Sequence, residues 1–360
     1  MGIKISESRE ELKNKLRNRG LSFDEKHLDD ALRRINYFNL FNGIEGLFLS
    51  SVSPKKYENA SLDDFLAIYE FNKKLAKTIL EITDKIESKL KNSIAYHFTQ
   101  NNCRRIEDTM DYTIKDNYID PQSSRYSQNY PFQLYQNHKI FSNFDDFKLF
   151  DSHYLRKLIN NNDHIDASFY SDNRYIPKPG VTRFNGNPHV AVPFWVAIET
   201  MTFGQIIYLL HYLKDDDLRN VMSDFDLDLF YRNAFLNMLD FIKDIRNACA
   251  HGYLIYRYTS PKKIKISTFL VNRFGLTPSE TGSPQSVLSL YDILKIVNFF
   301  ESTKPLKKVI NGILYRNNKR YKNKNNTLNN KLLNKMGNPK KQDWNMLVFS
   351  KSNIIFRQSS

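Results

Sequence analysis

The chain has 360 residues, 41% of them hydrophobic, and a formal net charge of +14. That length can bury a sizeable core in one large domain or two, and the basic excess suits a polyanionic partner, most often nucleic acid. Glycine and proline number only 12 each, which argues against a turn-rich β architecture. No apolar run approaches the ~18 residues of a membrane span, and the opening MGIKISESREELKNK is too charged for a signal peptide, so no membrane contact and a cytoplasmic location are expected. The 26 Phe and 21 Tyr are expected to fill the core. Two cysteines, Cys103 and Cys249, form no metal-ligand pattern and no disulfide framework, and neither a metal nor a cofactor is expected.

In chain order, residues 7–19 carry a charged helical pattern with Leu12 and Leu16 as apolar contacts. Gly20 breaks it, and Ser22 or Asp24 caps a second helix whose apolar face is Leu28, Leu32 and Ile35. Such a helical hairpin usually just packs, although helix–break–helix is also the pattern of a duplex-DNA reader. Ser61 to Gln100 reads as a long helix pair. It opens on a serine cap followed by Asp63 and Asp64, and Phe65, Ile68, Phe71, Leu75, Ile79, Ile82, Ile86, Leu90 and Ile94 hold the period, with a break placed near Glu70 to Asn72.

Residues 101–190 are rich in Asn, Asp, Tyr and Ser, with one or two helices predicted between Phe141 and Leu158. Asn160 to Asn187 has loop composition, and its Tyr170, Arg174, Tyr175, Lys178 and Arg183 interleave rings with basic groups, as single-strand RNA binders and many exposed loops both do. Pro193, Trp195, Ile198, Met201, Ile206, Leu209 and Tyr212 predict one buried helix with Gly204 inside it, in which Trp195 and Phe203 pack and Glu199 either supports a site residue or is a plain surface acid. Leu227 to Ile245 is helical in pattern. Lys263 to Val271 alternates as a strand of a small hairpin would, and Ser286–Glu301 and Leu306–Tyr315 are further core helices. Arg316 to Lys341 holds nine Lys or Arg and no acid, which describes a polyanion-binding arm or a short basic helix. Asp343 to Phe356 turns apolar and is expected to dock back.

The stretch with most chemistry is Asp244 to Tyr258, DIRNACAHGYLIYRY. It lies at the end of a predicted helix, with Gly252 as the stop. Asn247 and His251 are four apart and share a helix face, while Arg246 and His251 are about 140° apart around the axis. Histidine titrates near neutrality and serves as acid or base, and arginine binds phosphate oxygens bidentately. Such a pair suits phosphodiester cleavage without a metal, although an arginine and a histidine at this spacing also occur on plain solvated helices. Ala248, Cys249 and Ala250 between them would let another helix come close.

This run resembles the R-x4-H motif of the HEPN superfamily. More narrowly, the chain resembles the Abi-like abortive-infection family (AbiD and AbiF type), on the block with Ile35, Asn36, Tyr37 and Phe38, on Ile86, Glu87, Ser88 and Lys89, and on Pro193, Trp195, Glu199, Phe203 and Gly204. Family members often carry a polar residue where this chain has Gly252. The resemblance implies a mainly α fold: a HEPN-like helical bundle with an N-terminal helical hairpin, a small β hairpin and a basic C-terminal extension. The expected division is 1–58, 59–315 (with 101–190 as an insertion or lid) and 316–360. It further implies a metal-independent, toxin-like endoribonuclease of antiviral defence, leaving 2′,3′-cyclic phosphate and 5′-hydroxyl ends. Arg246, Asn247 and His251 would be its catalytic residues and Glu87 the supporting acid. Arg257, Arg316, Lys319, Arg320, Lys322 and Lys324 would contact RNA, and a homodimer would join two motifs. The rival reading is a non-catalytic protein that holds a structured non-coding RNA.

Overall fold

One helix runs through the centre of the molecule because its apolar residues never lose their 3.6-residue period. Leu62–Asn102 is a single uninterrupted α-helix of 41 residues, roughly 60 Å long at 1.5 Å per residue. Its start is set by a capping box, in which Ser61 and Asp64 satisfy one another's backbone N–H groups. The expected pair of helices with a break near Asn72 is therefore corrected to one helix. Asn72 looked like an interruption because it is polar, yet it is buried and hydrogen-bonded to the loop that follows the Arg–His motif.

The computed structural model describes residues 7–105, 108–121, 143–151, 168–169, 190–280, 286–321 and 327–349. The helices are α1 (Arg9–Asn18), α2 (Glu25–Arg34), α3 (Leu62–Asn102), α4 (Phe194–Ala197), α5 (Phe203–Tyr212), α6 (Asp215–Ser223), α7 (Arg232–Ala250), α8 (Thr268–Phe274), α9 (Leu290–Phe300), α10 (Leu306–Arg320), α11 (Thr327–Lys335) and α12 (Lys341–Phe349). The protein is mainly α-helical. Helices α4, α6, α7 and α10 all pack on α3, and α9 packs on α7. None of the described helices is long and apolar enough to cross a membrane.

The N-terminal hairpin forms as expected. Gly20 takes a left-handed φ of +85° after α1, and Asp24 caps α2 by accepting from the His27 N–H. Leu16, Leu28, Phe41 and Phe65 share one buried apolar cluster. The small β hairpin is elsewhere than predicted. It is β1 (Leu49–Val52) with β2 (Lys55–Tyr57), antiparallel, with Leu49 opposite Tyr57 and an irregularity between Leu49 and Ser51. A second antiparallel pair joins β3 (Ser168–Phe169) to β4 (Val190–Ala191). The predicted strand over Lys263–Val271 is not one. Its polar backbone is taken by Asn237 of α7, which donates to the Lys265 carbonyl at 3.0 Å and accepts from the Ser267 N–H at 3.3 Å, and the chain then enters α8 at Thr268.

The predicted helix from Pro193 is also two. α4 passes into a 3-10 turn (Ile198–Thr200), and α5 begins afresh because Thr202 and Gln205 form a capping box. Trp195, expected in the core, is 57% exposed, whereas Phe203 is buried. Most other rings among the described residues do fill the core. Phe98 stacks on Tyr118 and meets Phe194 edge-on, and Phe144 and Phe147 both meet Tyr212 edge-on. At the C-terminal end α11 buries Leu328, Leu332 and Leu333, and Trp344 of α12 is 1% exposed against Tyr291. The expected docking of the terminus holds for Trp344, Leu347 and Val348, which are buried, whereas Met346 is exposed. Ile354, Ile355, Phe356, the 160–187 segment except Ser168 and Phe169, and 141–142 and 152–158 lie outside the described residues.

Candidate functional site

The Arg–His run ends α7, and the local sequence explains how. His251 is the C-cap and Gly252 follows at φ +71°, a left-handed conformation that only glycine adopts without strain. The Tyr253 N–H then bonds the Ala248 carbonyl at 3.1 Å and the Gly252 N–H bonds the Cys249 carbonyl at 3.2 Å, closing a Schellman turn. Gly252 thus makes a defined helix end. Ala248 and Cys249 are buried, and burial pushes the Cys249 thiol up to about 12, so it offers no thiolate near neutrality.

The loop after the turn is held from two sides. Asn72 of α3 donates to the Tyr253 carbonyl and accepts from the Tyr256 N–H, both at 3.1 Å. The Tyr256 hydroxyl donates to the Gly43 carbonyl at 2.7 Å. A Cβ on Gly43 would stand 2.2 Å from Leu254 Cδ1, so a larger residue there would have to push the Leu254 side chain aside. The Tyr258 hydroxyl donates to Asp244 at 2.6 Å, tying the loop back to α7. Sequence reading missed Asn72, Gly43 and Tyr256 in this role, and no spacing rule links residues 181 positions apart.

Of the residues picked from sequence, Arg246 and Glu87 are brought together. Arg246 Nη2 lies 3.7 Å from Glu87 Oε2, with the arginine side chain about a third exposed and the glutamate largely buried. Beyond hydrogen-bond range, this is a loose ion pair. Arg246 Nε is buried and has no acceptor among the described residues. Glu87 is shared, because its Oε1 is 3.2 Å from Lys91 Nζ, one helical turn along α3. Lys91 in turn lies 3.6 Å from Glu199 Oε2. The order of charges is therefore Glu199, Lys91, Glu87, Arg246, alternating in sign. Lys148 donates to the Thr200 carbonyl at 2.8 Å beside this chain, and its pKa is lowered by burial and then by the charge of Lys91. Lys91 went unread in the sequence, although its spacing from Glu87 was a usable signal.

Asn247 and His251 are exposed on the same face of the helix end, joined by the backbone bond from the His251 N–H to the Asn247 carbonyl at 2.9 Å. Neither side chain has a hydrogen-bond or ion-pair partner among the described residues, so both are open to a ligand. The site thus combines an imidazole open to solvent, an amide beside it, and a guanidinium with unused donors in reach of solvent.

The basic residues expected to contact RNA separate into three groups. Arg257 and Lys319 are exposed. Arg316 and Arg320 are tied to Asp64 of α3, with Arg316 Nη1 at 2.9 Å, Arg320 Nε at 3.5 Å, and Arg316 Nη2 also on the Asp63 carbonyl at 3.0 Å. These two arginines staple α10 to the start of α3. Lys322 and Lys324 lie outside the described residues. From Asp64 to Glu87 the helix rises roughly 35 Å, so the basic end of α10 and the motif are far apart along α3.

Comparison with known proteins gives one family. The family model described as Abi-like protein matches residues 30–257, a span that holds Glu87, Glu199 and the whole Arg246–His251 run and stops short of α8 to α12. No curated protein and no solved structure matches the chain. With well over half of its length matched, the chain belongs to the Abi-like protein family.

Proposed function

We propose that the protein is a metal-independent endoribonuclease of HEPN type. Membership of the Abi-like family suggests abortive infection, a defence against phage, as its setting. The observation that carries the reading is the end of α7, where an open imidazole and an arginine with unspent donors share one helix terminus. In this mechanism the ribose 2′-hydroxyl attacks the adjacent phosphorus and the bond from phosphorus to the 5′-oxygen breaks. His251 accepts the proton from the 2′-hydroxyl or delivers one to the departing 5′-oxygen. Arg246 stabilises the charge that gathers on the phosphoryl oxygens, and Asn247 orients the imidazole or the phosphate. One copy supplies one histidine, so a two-fold dimer that pairs two α7 ends would supply both the base and the acid. Arg257, Lys319, Lys322 and Lys324 are the expected backbone contacts for substrate or for a bound non-coding RNA, since Arg316 and Arg320 are already engaged by Asp64.

The test is RNA cleavage in EDTA by wild type, His251→Ala and Arg246→Ala, with end-group analysis. Cleavage by wild type alone, leaving cyclic phosphate and 5′-hydroxyl ends, supports the reading. Products with 3′-hydroxyl ends and strict magnesium dependence would sink it. Tight, salt-sensitive RNA binding with no cutting by any of the three would instead make the protein a holder of RNA.

A further inference from the structure

The carboxylate of Glu87 cannot serve two cations fully, and this bears on how Arg246 is kept ready. Its two oxygens are divided, Oε1 to Lys91 at 3.2 Å and Oε2 to Arg246 at 3.7 Å. Glu87 and Lys91 are both buried, at 9% and 8% exposure, so their interaction is little screened by solvent. Lys91 has a second set of acceptors in Glu199, with the carboxylate at 3.6 Å and the main-chain carbonyl at 3.4 Å. Glu199 is 60% exposed on its side chain and stands in the turn after α4, away from the motif helix. Meanwhile Arg246, at the end of the row, makes no close ion pair and leaves Nε without an acceptor.

We propose that Lys91 and Glu199 are positioning residues that set how firmly Glu87 holds Arg246, and so how available that guanidinium is to an RNA phosphate. The inference rests on the reading of Arg246 as a phosphate-binding group. Lys91 draws on one oxygen of Glu87, which keeps the pair with Arg246 open. Without the Lys91 charge, the whole negative charge of Glu87 falls on Arg246 and the pair closes, in competition with phosphate. Without the Glu199 charge, Lys91 leans harder on Glu87, and Arg246 is freed further. Neighbours in an alternating row therefore act with opposite sign. A purely structural role would make both substitutions act in the same direction.

The experiment is binding of a 2′-deoxy-substituted RNA oligonucleotide, which lacks the attacking hydroxyl, measured by fluorescence anisotropy at low salt. Lys91→Met is expected to weaken binding about tenfold and Glu199→Gln to tighten it about twofold to threefold, the latter smaller because an exposed charge is screened. Lys91→Arg keeps the charge and is expected to stay within about twofold of wild type. The Glu199→Gln effect is expected to fade near ~0.5 M salt, where the screening length falls to a few ångströms. In cleavage assays kcat/KM is expected to move in the same two opposite directions, because Arg246 also stabilises the charge that gathers in the transition state. Shifts of the same sign, or no shift in folded variants, overturn the proposal. If Lys91→Met does not fold, Glu199→Gln decides alone: tightening upholds the inference, and no change or weakening ends it. The two readings fail separately. Opposite shifts in binding by a protein that never cuts RNA would leave the charge row standing and the nuclease reading lost. Cutting abolished by His251→Ala but indifferent to Lys91 and Glu199 would do the reverse.

Discussion

Arginines meet acids at two places on the central helix, and they are used differently. At the start of α3, Asp64 is fully buried, and Arg316 reaches it at 2.9 Å while also bonding the Asp63 carbonyl at 3.0 Å. Arg320 backs the pair at 3.5 Å. Roughly 35 Å further along α3, Arg246 stops 3.7 Å short of Glu87, and its Nε has no acceptor. The first contact is satisfied and joins two helices. The second is deliberately incomplete in geometry, since its acid is divided between two cations. Charge alone does not separate a staple from a site; the number of unspent donors does.

The comparison is sharpened most by exchanging the two losses. Arg246→Ala is expected to lower RNA cleavage about a thousandfold, which is about 4 kcal/mol of barrier, while its unfolding midpoint in urea stays near wild type. Arg316→Ala is expected to behave in the opposite way, with cleavage retained and about 2–3 kcal/mol of stability lost, because the buried Asp64 keeps its Ser61 hydrogen bonds but only the more distant Arg320 as a cation. A stable Arg316→Ala protein that no longer cuts would reverse the assignment of staple and site.

A smaller effect should appear in the pH dependence of stability, at a buried cluster on the α5 side of α7. Burial pushes Asp240 up to about 6, and burial, then the nearby Lys243 and Arg232, lowers His211 to about 3. The histidine, with its folded pKa depressed below its ordinary 6.5, costs stability as pH falls from about 6.5 toward 3. The aspartic acid, with its folded pKa raised from 3.8, gains stability as pH falls from about 6 toward 3.8. Across the shared window the two slopes oppose. Asp240→Asn removes one of them, so the variant is expected to lose about 1.4 kcal/mol more than wild type for each pH unit between about 6 and 4. Urea titrations at stepped pH would show it, and parallel curves for the two proteins would refute the opposition.

The smallest expected change is at the end of α7. Gly252→Ala places a Cβ in open space but at φ +71°, so only backbone strain is added, about 1–2 kcal/mol. Thermal melting reads that loss. If the Schellman turn also aims His251, cleavage falls further than stability does, whereas Gly275→Ala, at φ +54° with equal room after α8, lowers stability alone.

Much of this fold was legible because burial follows period. The period of α3 held throughout, and the caps at Ser61 and Asp24 are local chemistry that a chain carries with it. The misreadings share a cause. Asn72, Trp195 and the 263–271 alternation were judged by residue type. Yet Asn72 is buried because Tyr253 and Tyr256 need its amide, and Trp195 is exposed although it is large and apolar. The alternating stretch lacks a partner strand because the Asn237 side chain meets its backbone. The Arg–His spacing and the helix end at Gly252 could be read directly, since both depend on residues within one or two turns.

By itself, then, the sequence determined the helical class, the N-terminal hairpin and the placement of Arg246, Asn247 and His251 at one helix terminus, all of which follow from short-range periodicity and capping. Only the tertiary structure decided which charges are spent. It set Arg316 and Arg320 on Asp64, divided Glu87 between Lys91 and Arg246, and reached Lys91 from Glu199, because ion pairs are made by distances between helices that no spacing along the chain encodes.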